Sequence, residues 1–240
     1  MKRSYTMQLF YTSDIDGSSA TFSRDESGHC LRVLRMRMGD EINFTDGRGN
    51  LYEGVINGDN PNMMKVSVIR VTEEYGKRDY HLHAAVSPLK NTDRLEWFIE
   101  KAVEMGIDEI TPLICSRTEK NRIRRERLEG LIMSAMKQSV KAFLPVLNEP
   151  VMIKDFVQKD HAGIKIVAHC NPLPERKPIT QVVERGRDTV IMIGPEGDFT
   201  PEEVMMAVEA GFLPVHLGNS RLRTETAGVT ACCSVYLANI

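Results

Sequence analysis

From His81 onward the sequence alternates between two hydrophobic periods, and this restricts the available folds more than any other feature. His81-Leu82-His83-Ala84-Ala85-Val86 reads as a strand. Asp93 to Met105 then places Leu95, Phe98, Ile99, Ala102 and Val103 on one helical face, with Arg94, Glu96, Glu100, Lys101 and Glu104 mostly opposite. Gly106 closes that helix, and Glu109 to Ile114 is the next strand. The pattern continues with a helix from about Arg124 to Lys141, a strand at Ile164–Val167 and a helix near Thr180–Arg185. A strand at Thr189–Ile193, a helix at Pro201–Ala210, a strand at Pro214–Leu217 and a final helix complete it. Strand and helix in alternation predict an α/β domain with a largely parallel sheet.

Before residue 72 the texture differs. Glu41 to Thr45 alternates into the turn Asp46-Gly47-Arg48-Gly49-Asn50, Leu51 to Ile56 returns, and Lys65 to Val71 alternates again. Short strands at this spacing predict a small β-barrel over residues 1–72, a polar linker over 73–80 and the α/β domain over 81–240. The formal net charge is −2, so any nucleic-acid surface must come from local clustering. The five cysteines are odd in number and form no C-x-x-C pair, which suits reduced thiols rather than zinc or disulfides. The histidines are scattered, and no metal site is expected. No apolar run approaches the roughly 18 residues of a membrane span, and MKRSYTMQLFYTSD lacks the pattern of a signal peptide. A cytoplasmic protein is the expectation.

Ligands of an open parallel sheet bind beyond the C-terminal ends of its strands. Three such ends carry polar or glycine-rich loops: Ala168-His169-Cys170-Asn171-Pro172, Gly194-Pro195-Glu196-Gly197-Asp198-Phe199, and Gly218-Asn219-Ser220 after Val215-His216-Leu217. Thr200-Pro201-Glu202-Glu203 is a capping box, which fixes a helix start and leaves Gly194–Phe199 as a tight loop. Neither a P-loop nor a G-x-G-x-x-G fingerprint is present. In LGNSRLRTETAGVTA, Thr224 and Glu225 suit a helix N-terminus. End-capping does not explain Arg221 and Arg223 flanking Leu222.

IGPEGDFTPEEV and LGNSRLRTETA together resemble the RsmE family of ribosomal RNA methyltransferases, within the SPOUT superfamily. HCLRVLRMRMGD, LKNTDRLEWFIEKAVEMGIDEITPL and KQSVKAFLPVL are similar to further motifs of that family, in the same order. The resemblance implies a PUA-like N-terminal barrel, a SPOUT-type α/β domain with a C-terminal trefoil knot, and a homodimer. It also implies S-adenosylmethionine as methyl donor and N3 of a uridine in small-subunit ribosomal RNA as acceptor. On the same match His169, Gly194, Pro195, Glu196 and Gly197 would line the donor pocket. Leu217, Gly218, Ser220, Leu222, Arg223 and Thr226 would form the facing loop, with the two leucines covering the adenine. The sequence departs from the family pattern at Asp198, where a second glycine is usual, and at Ser220, Arg221, Lys137 and Lys141.

Uridine N3 carries a proton at neutral pH, so the reaction needs a group to accept it and a cation to hold the developing anion. Arg223 is the candidate guanidinium, and Glu196 and Glu225 are the candidate acceptors. Two basic clusters supply candidate RNA contacts: Arg24, Arg32, Arg35 and Arg37 with His29, and Arg122 and Arg124 within Arg117–Arg127. Two other functions fit the same chain: a non-catalytic RNA-binding ribosome-assembly factor and a transfer RNA methyltransferase. Donor binding separates the first from an enzyme, and the modified RNA separates the second.

Overall fold

The computed structural model describes residues 7–172 and 174–240. The first six residues of the expected N-terminal domain, and of the stretch read as lacking a signal peptide, lie outside these. The chain forms two compact units.

The first unit runs to Lys77 and also takes in Met133–Leu144. Its strands are β1 (Leu9–Tyr11), β2 (Asp14–Asp16), β3 (Ser19–Thr21), β4 (Glu41–Thr45), β5 (Leu51–Gly58) and β6 (Lys65–Thr72), with helix α1 (Arg24–Gly28) and a π-helical turn at His29–Val33 after β3. They form one sheet ordered β1-β4-β5-β6-β3-β2, antiparallel except for β1 beside β4. Phe10, Phe22, Phe44, Ile56, Met64 and Val66 fill its core. The β4–β5 turn forms where the sequence predicts it, because Gly47 (φ +74°) and Gly49 (φ +100°) accept left-handed backbone. Gly49 is also required for space, since a Cβ there would lie 2.3 Å from the Phe143 ring.

That contact explains why residues 133–144, which the sequence pattern assigns to the second domain, group with the first. Ala142 accepts hydrogen bonds from Thr45 Oγ1 (3.1 Å) and Gly49 N–H (2.9 Å), and Leu144 N–H donates to Gly47 (2.9 Å). Lys137, one of the departures from the family pattern, forms an ion pair with Glu26.

The second unit contains β7 (Leu82–Val86), α2 (Thr92–Glu104), β8 (Glu109–Ile114) and the start of α3 (Arg125–Gln138). After these come β9 (Val146–Leu147), β10 (Val151–Met152), α4 (Ile153–Phe156), β11 (Ile164–Ala168), β12 (Lys177–Pro178), β13 (Thr189–Ile193), α5 (Pro201–Glu209), β14 (Leu213–His216) and α6 (Thr224–Ala238). The sheet is parallel throughout, ordered β10-β8-β7-β13-β11-β14-β12, with β9 also beside β8. Ala85, Leu113, Val167, Val190 and Met192 pack with α4 and α5 residues, and strand neighbours Leu82, Ala84, Ile166 and Ile191 are buried too. Burial on both faces is why these strands read as continuous apolar runs. No described helix is long and apolar enough to cross a membrane.

The predicted helix near Thr180–Arg185 is only a 3-10 turn at Ile179–Gln181. Ile179 and Val182 are buried, but β12 consumes the residues before them and Gly186 (φ +69°) ends the segment, leaving no length for an α-helix.

Candidate functional site

Placing β13 between β7 and β11, with β14 beyond β11, brings the C-terminal ends of β11, β13 and β14 together. The loops leaving them surround a cavity of ≈ 320 Å³, within the size range of small-molecule sites.

The loop after β13 is tightly determined. Asp198 N–H donates to Pro195 at 2.9 Å, folding the backbone over the fully buried Phe199. A Cβ at Gly194 would sit 3.1 Å from both the Phe199 ring and its backbone nitrogen, closer than ordinary contact, so glycine lets the loop pack tightly here. Gly197 faces Arg117, whose Nη1 donates to its carbonyl at 2.7 Å. The predicted capping box is complete: Thr200 Oγ1 accepts the Glu203 N–H (3.2 Å), and Glu203 Oε2 accepts the Thr200 N–H (2.9 Å). The same carboxylate accepts the Ser116 N–H (2.7 Å) and hydroxyl (2.9 Å), tying the end of β8 to the start of α5.

The loop after β14 is open by comparison. Gly218 has φ +121°, and a Cβ there would meet nothing within 4 Å. Helix α6 begins at Thr224 with Arg223 at its N-cap, and Arg223 makes no side-chain cap bond. The first amides of α6 therefore present partial positive charge beside the cavity, which Thr224 and Ala227 line.

His169 stands out in the loop after β11. It is 4% exposed, yet among the described residues neither ring nitrogen has a hydrogen-bond partner. Burial holds its pKa below the ordinary value, with Asp198 and the nearby Asn171 backbone opposing and Arg176 reinforcing. An orphaned imidazole lining a cavity of this size fits a polar organic ligand.

The cavity gathers His169, Gly194, Pro195, Glu196, Leu217, Gly218, Ser220, Leu222 and Arg223 from the expected donor site. Gly197, Glu225 and Thr226 are not in its lining. Glu225 is buried in the first turn of α6, its Oε1 3.8 Å from Arg94 Nε and its Oε2 without a partner among the described residues. Arg223 is exposed and makes no ion pair among the described residues. Glu196 is exposed in the lining, and its Oε1 accepts the Lys90 N–H at 3.2 Å. Arg94, from the first turn of α2, and Arg176 also line the cavity. Sequence periodicity missed both: Arg94 looks like an ordinary polar-face residue, and Arg176 lies in a loop without pattern.

Arg24, Arg32, Arg35 and Arg37 are exposed around α1 and the π-helical turn of the first unit, and Arg122 and Arg124 are exposed before α3 in the second. Among the described residues none of the six forms an ion pair. Their neighbours in sequence are already engaged, Arg125 with Glu129 and Glu149, and Arg127 with Glu96.

A parallel sheet with a three-loop cavity at its strand ends, attached to a small β-sheet unit, defines a class. Residues 77–236 match the RNA methyltransferase domain family and residues 22–69 the RNA methyltransferase PUA domain family, so the chain belongs to the RNA methyltransferases with an N-terminal PUA domain. More particularly, it is similar to ribosomal RNA small subunit methyltransferase E. The protein of that name from Mycobacterium bovis is 28% identical over 239 residues, covering 95% of this chain and 90% of its own. A probable rRNA-methyltransferase from Porphyromonas gingivalis, known from its crystal structure, is 40% identical with a TM-score of 0.91, covering 97% of this chain and 98% of its own. The Neisseria gonorrhoeae ribosomal RNA small subunit methyltransferase E, solved bound to S-adenosyl methionine, is 25% identical with a TM-score of 0.79, again covering 97% and 98%.

Proposed function

We propose that this chain transfers a methyl group from S-adenosylmethionine to N3 of a uridine in small-subunit ribosomal RNA, with the three-loop cavity as its donor site. The observation that carries this reading is the buried, unpartnered His169 beside the bare N-terminus of α6, in a cavity of ligand size. The solved Neisseria gonorrhoeae relative with bound S-adenosyl methionine supports it.

When bound, the donor supplies an electrophilic methyl on a sulfonium; the chain's own residues bind, orient and manage charge. His169 offers a hydrogen bond from the β11 side. Gly218, with open space around its α-carbon, permits close backbone approach, and Leu217 and Leu222 offer apolar cover for a heteroaromatic ring. Arg223 is placed to hold negative charge developing on the uracil oxygens as the N3 proton leaves, and the start of α6 adds to that field. Glu196 is the proton acceptor in this reading, because it lines the cavity and is exposed whereas Glu225 is buried off it. The basic clusters of both units bind the RNA backbone, and the target base is reached unpaired or flipped, since N3 is hidden in a helix.

The finer features belong to the same proposal: a trefoil knot formed by the cavity loops, a cytoplasmic location and a homodimer. Exposed Trp97, Tyr236 and Leu237 on the mutually packed α2 and α6 support the dimer.

The test is calorimetric titration of S-adenosylmethionine without added metal. Wild type should bind, and Ala227→Phe, which fills the cavity from ordinary helical backbone, should not. Wild-type affinity in that variant would remove the donor from this cavity.

A further inference from the structure

Asp198 sits in the cavity lining with φ +62°, a left-handed conformation that glycine adopts freely and aspartate only at some cost. Backbone geometry alone would favour glycine there. The carboxylate shows what aspartate adds. Its Oδ2 accepts the Cys170 N–H at 2.8 Å and the Asn171 side-chain amide at 3.4 Å, and its Oδ1 accepts the Phe199 N–H at 2.9 Å. Asn171 completes the link by donating to the Phe199 carbonyl at 3.1 Å.

One side chain therefore joins the loop after β11 to the loop after β13. The tethered residue Cys170 directly follows His169, the orphaned imidazole of the cavity. The His169 carbonyl, in the same peptide unit as the Cys170 N–H, accepts from Arg176 Nη1 at 2.7 Å, and on the other flank the His169 N–H donates to the Val215 carbonyl at 3.4 Å. The backbone of His169 is thus held on both flanks, while neither ring nitrogen makes a hydrogen bond of ordinary geometry among the described residues.

We propose that Asp198 is a positioning residue of the donor site. Its carboxylate clips the two loops together so that His169 and the Gly194–Phe199 turn stand in the donor-binding arrangement before the donor arrives. Preorganisation of this kind raises affinity by removing the ordering cost from the binding step. The proposal rests on the reading of the cavity as the donor site, and its effect falls on donor affinity, not on the transfer step.

The experiment compares full-length wild type, Asp198→Gly, Asp198→Asn and the cavity-filling Ala227→Phe by calorimetry with S-adenosylmethionine and by steady-state methyl transfer. Asp198→Gly relieves the backbone and removes the clip. Loss of a hydrogen-bonded charged acceptor should weaken donor binding about tenfold or more, raising the donor KM with kcat at saturating donor nearly unchanged. Asp198→Asn tolerates the same φ and keeps one acceptor oxygen for Cys170 while giving up the Phe199 bond, so it should recover part of the loss. If Ala227→Phe abolishes binding while Asp198→Gly binds as wild type, the clip is overturned and the cavity reading stands. If both bind as wild type, the cavity reading falls and the clip with it. A fall in kcat with unchanged KM, or an asparagine variant as weak as glycine, also overturns the proposal.

Discussion

Replacing Arg223 with lysine separates a catalytic guanidinium from a structural one. Arg223 is exposed, makes no ion pair among the described residues and contributes no cap bond to α6. Its removal should therefore change unfolding free energy by no more than about 0.5 kcal/mol. The nearest acid in sequence, Glu225, is oriented to Arg94 instead. If the guanidinium holds the uracil oxygens as N3 loses its proton, lysine cannot reproduce its planar fork. The loss should resemble removal of one oxyanion-type donor, about a hundredfold in rate or about 2.7 kcal/mol. The assay is single-turnover methyl transfer at saturating donor, using ribosomal particles that lack the modification, with calorimetric donor affinity in parallel. Raising the pH should narrow the gap to wild type, because alkali deprotonates uridine N3 without help from the enzyme. A lysine variant with wild-type single-turnover rates across the pH range would refute the reasoning.

Glu203→Ala should lower stability by about 3 kcal/mol or more in urea unfolding, because a buried carboxylate serving Thr200 and Ser116 disappears and leaves their amides unpaired; Glu203→Gln should cost less. Arg32, Arg35 and Arg37 together changed to alanine should weaken RNA binding and flatten its salt dependence while leaving donor affinity intact, as measured by filter binding across salt concentrations. His83, buried against Thr111 (2.7 Å) and near Glu109, His81, His161 and Lys159, has its pKa lowered by burial from 6.5 to about 4. The unfolded chain then binds more protons than the folded one between those values, so the urea midpoint should be full above about pH 6.5 and fall as pH drops towards 4. His83→Gln should flatten that slope.

Features encoded within one turn or one period were legible in the sequence. The α2 face, strand Thr189–Ile193 and the Thr200–Glu203 capping box appear where local pattern puts them, because each is determined by residues a few positions apart. Features made by distant partners were not. The second role of Glu203 engages Ser116, 87 positions away, and the Thr45 hydroxyl meets Ala142 across 97. The strands β1 to β3 and β12 are too short to show a period, and the connection between β12 and β13 had no room for the helix expected near Thr180–Arg185. At the site, the three loops could be located from strand ends alone. That Glu225 turns away from the cavity while Arg94 and Arg176 enter it depends on packing that no local pattern records.

The most direct test of the central claim is to incubate the purified protein with isotopically labelled S-adenosylmethionine and unmodified small ribosomal subunits, and then to map the label by nuclease digestion and mass spectrometry. The account predicts a single labelled position in small-subunit ribosomal RNA, carried on N3 of a uridine, and no label with the Ala227→Phe variant. Label appearing in transfer RNA from a mixed RNA pool, on another atom of the base, or at wild-type level in that variant would contradict it.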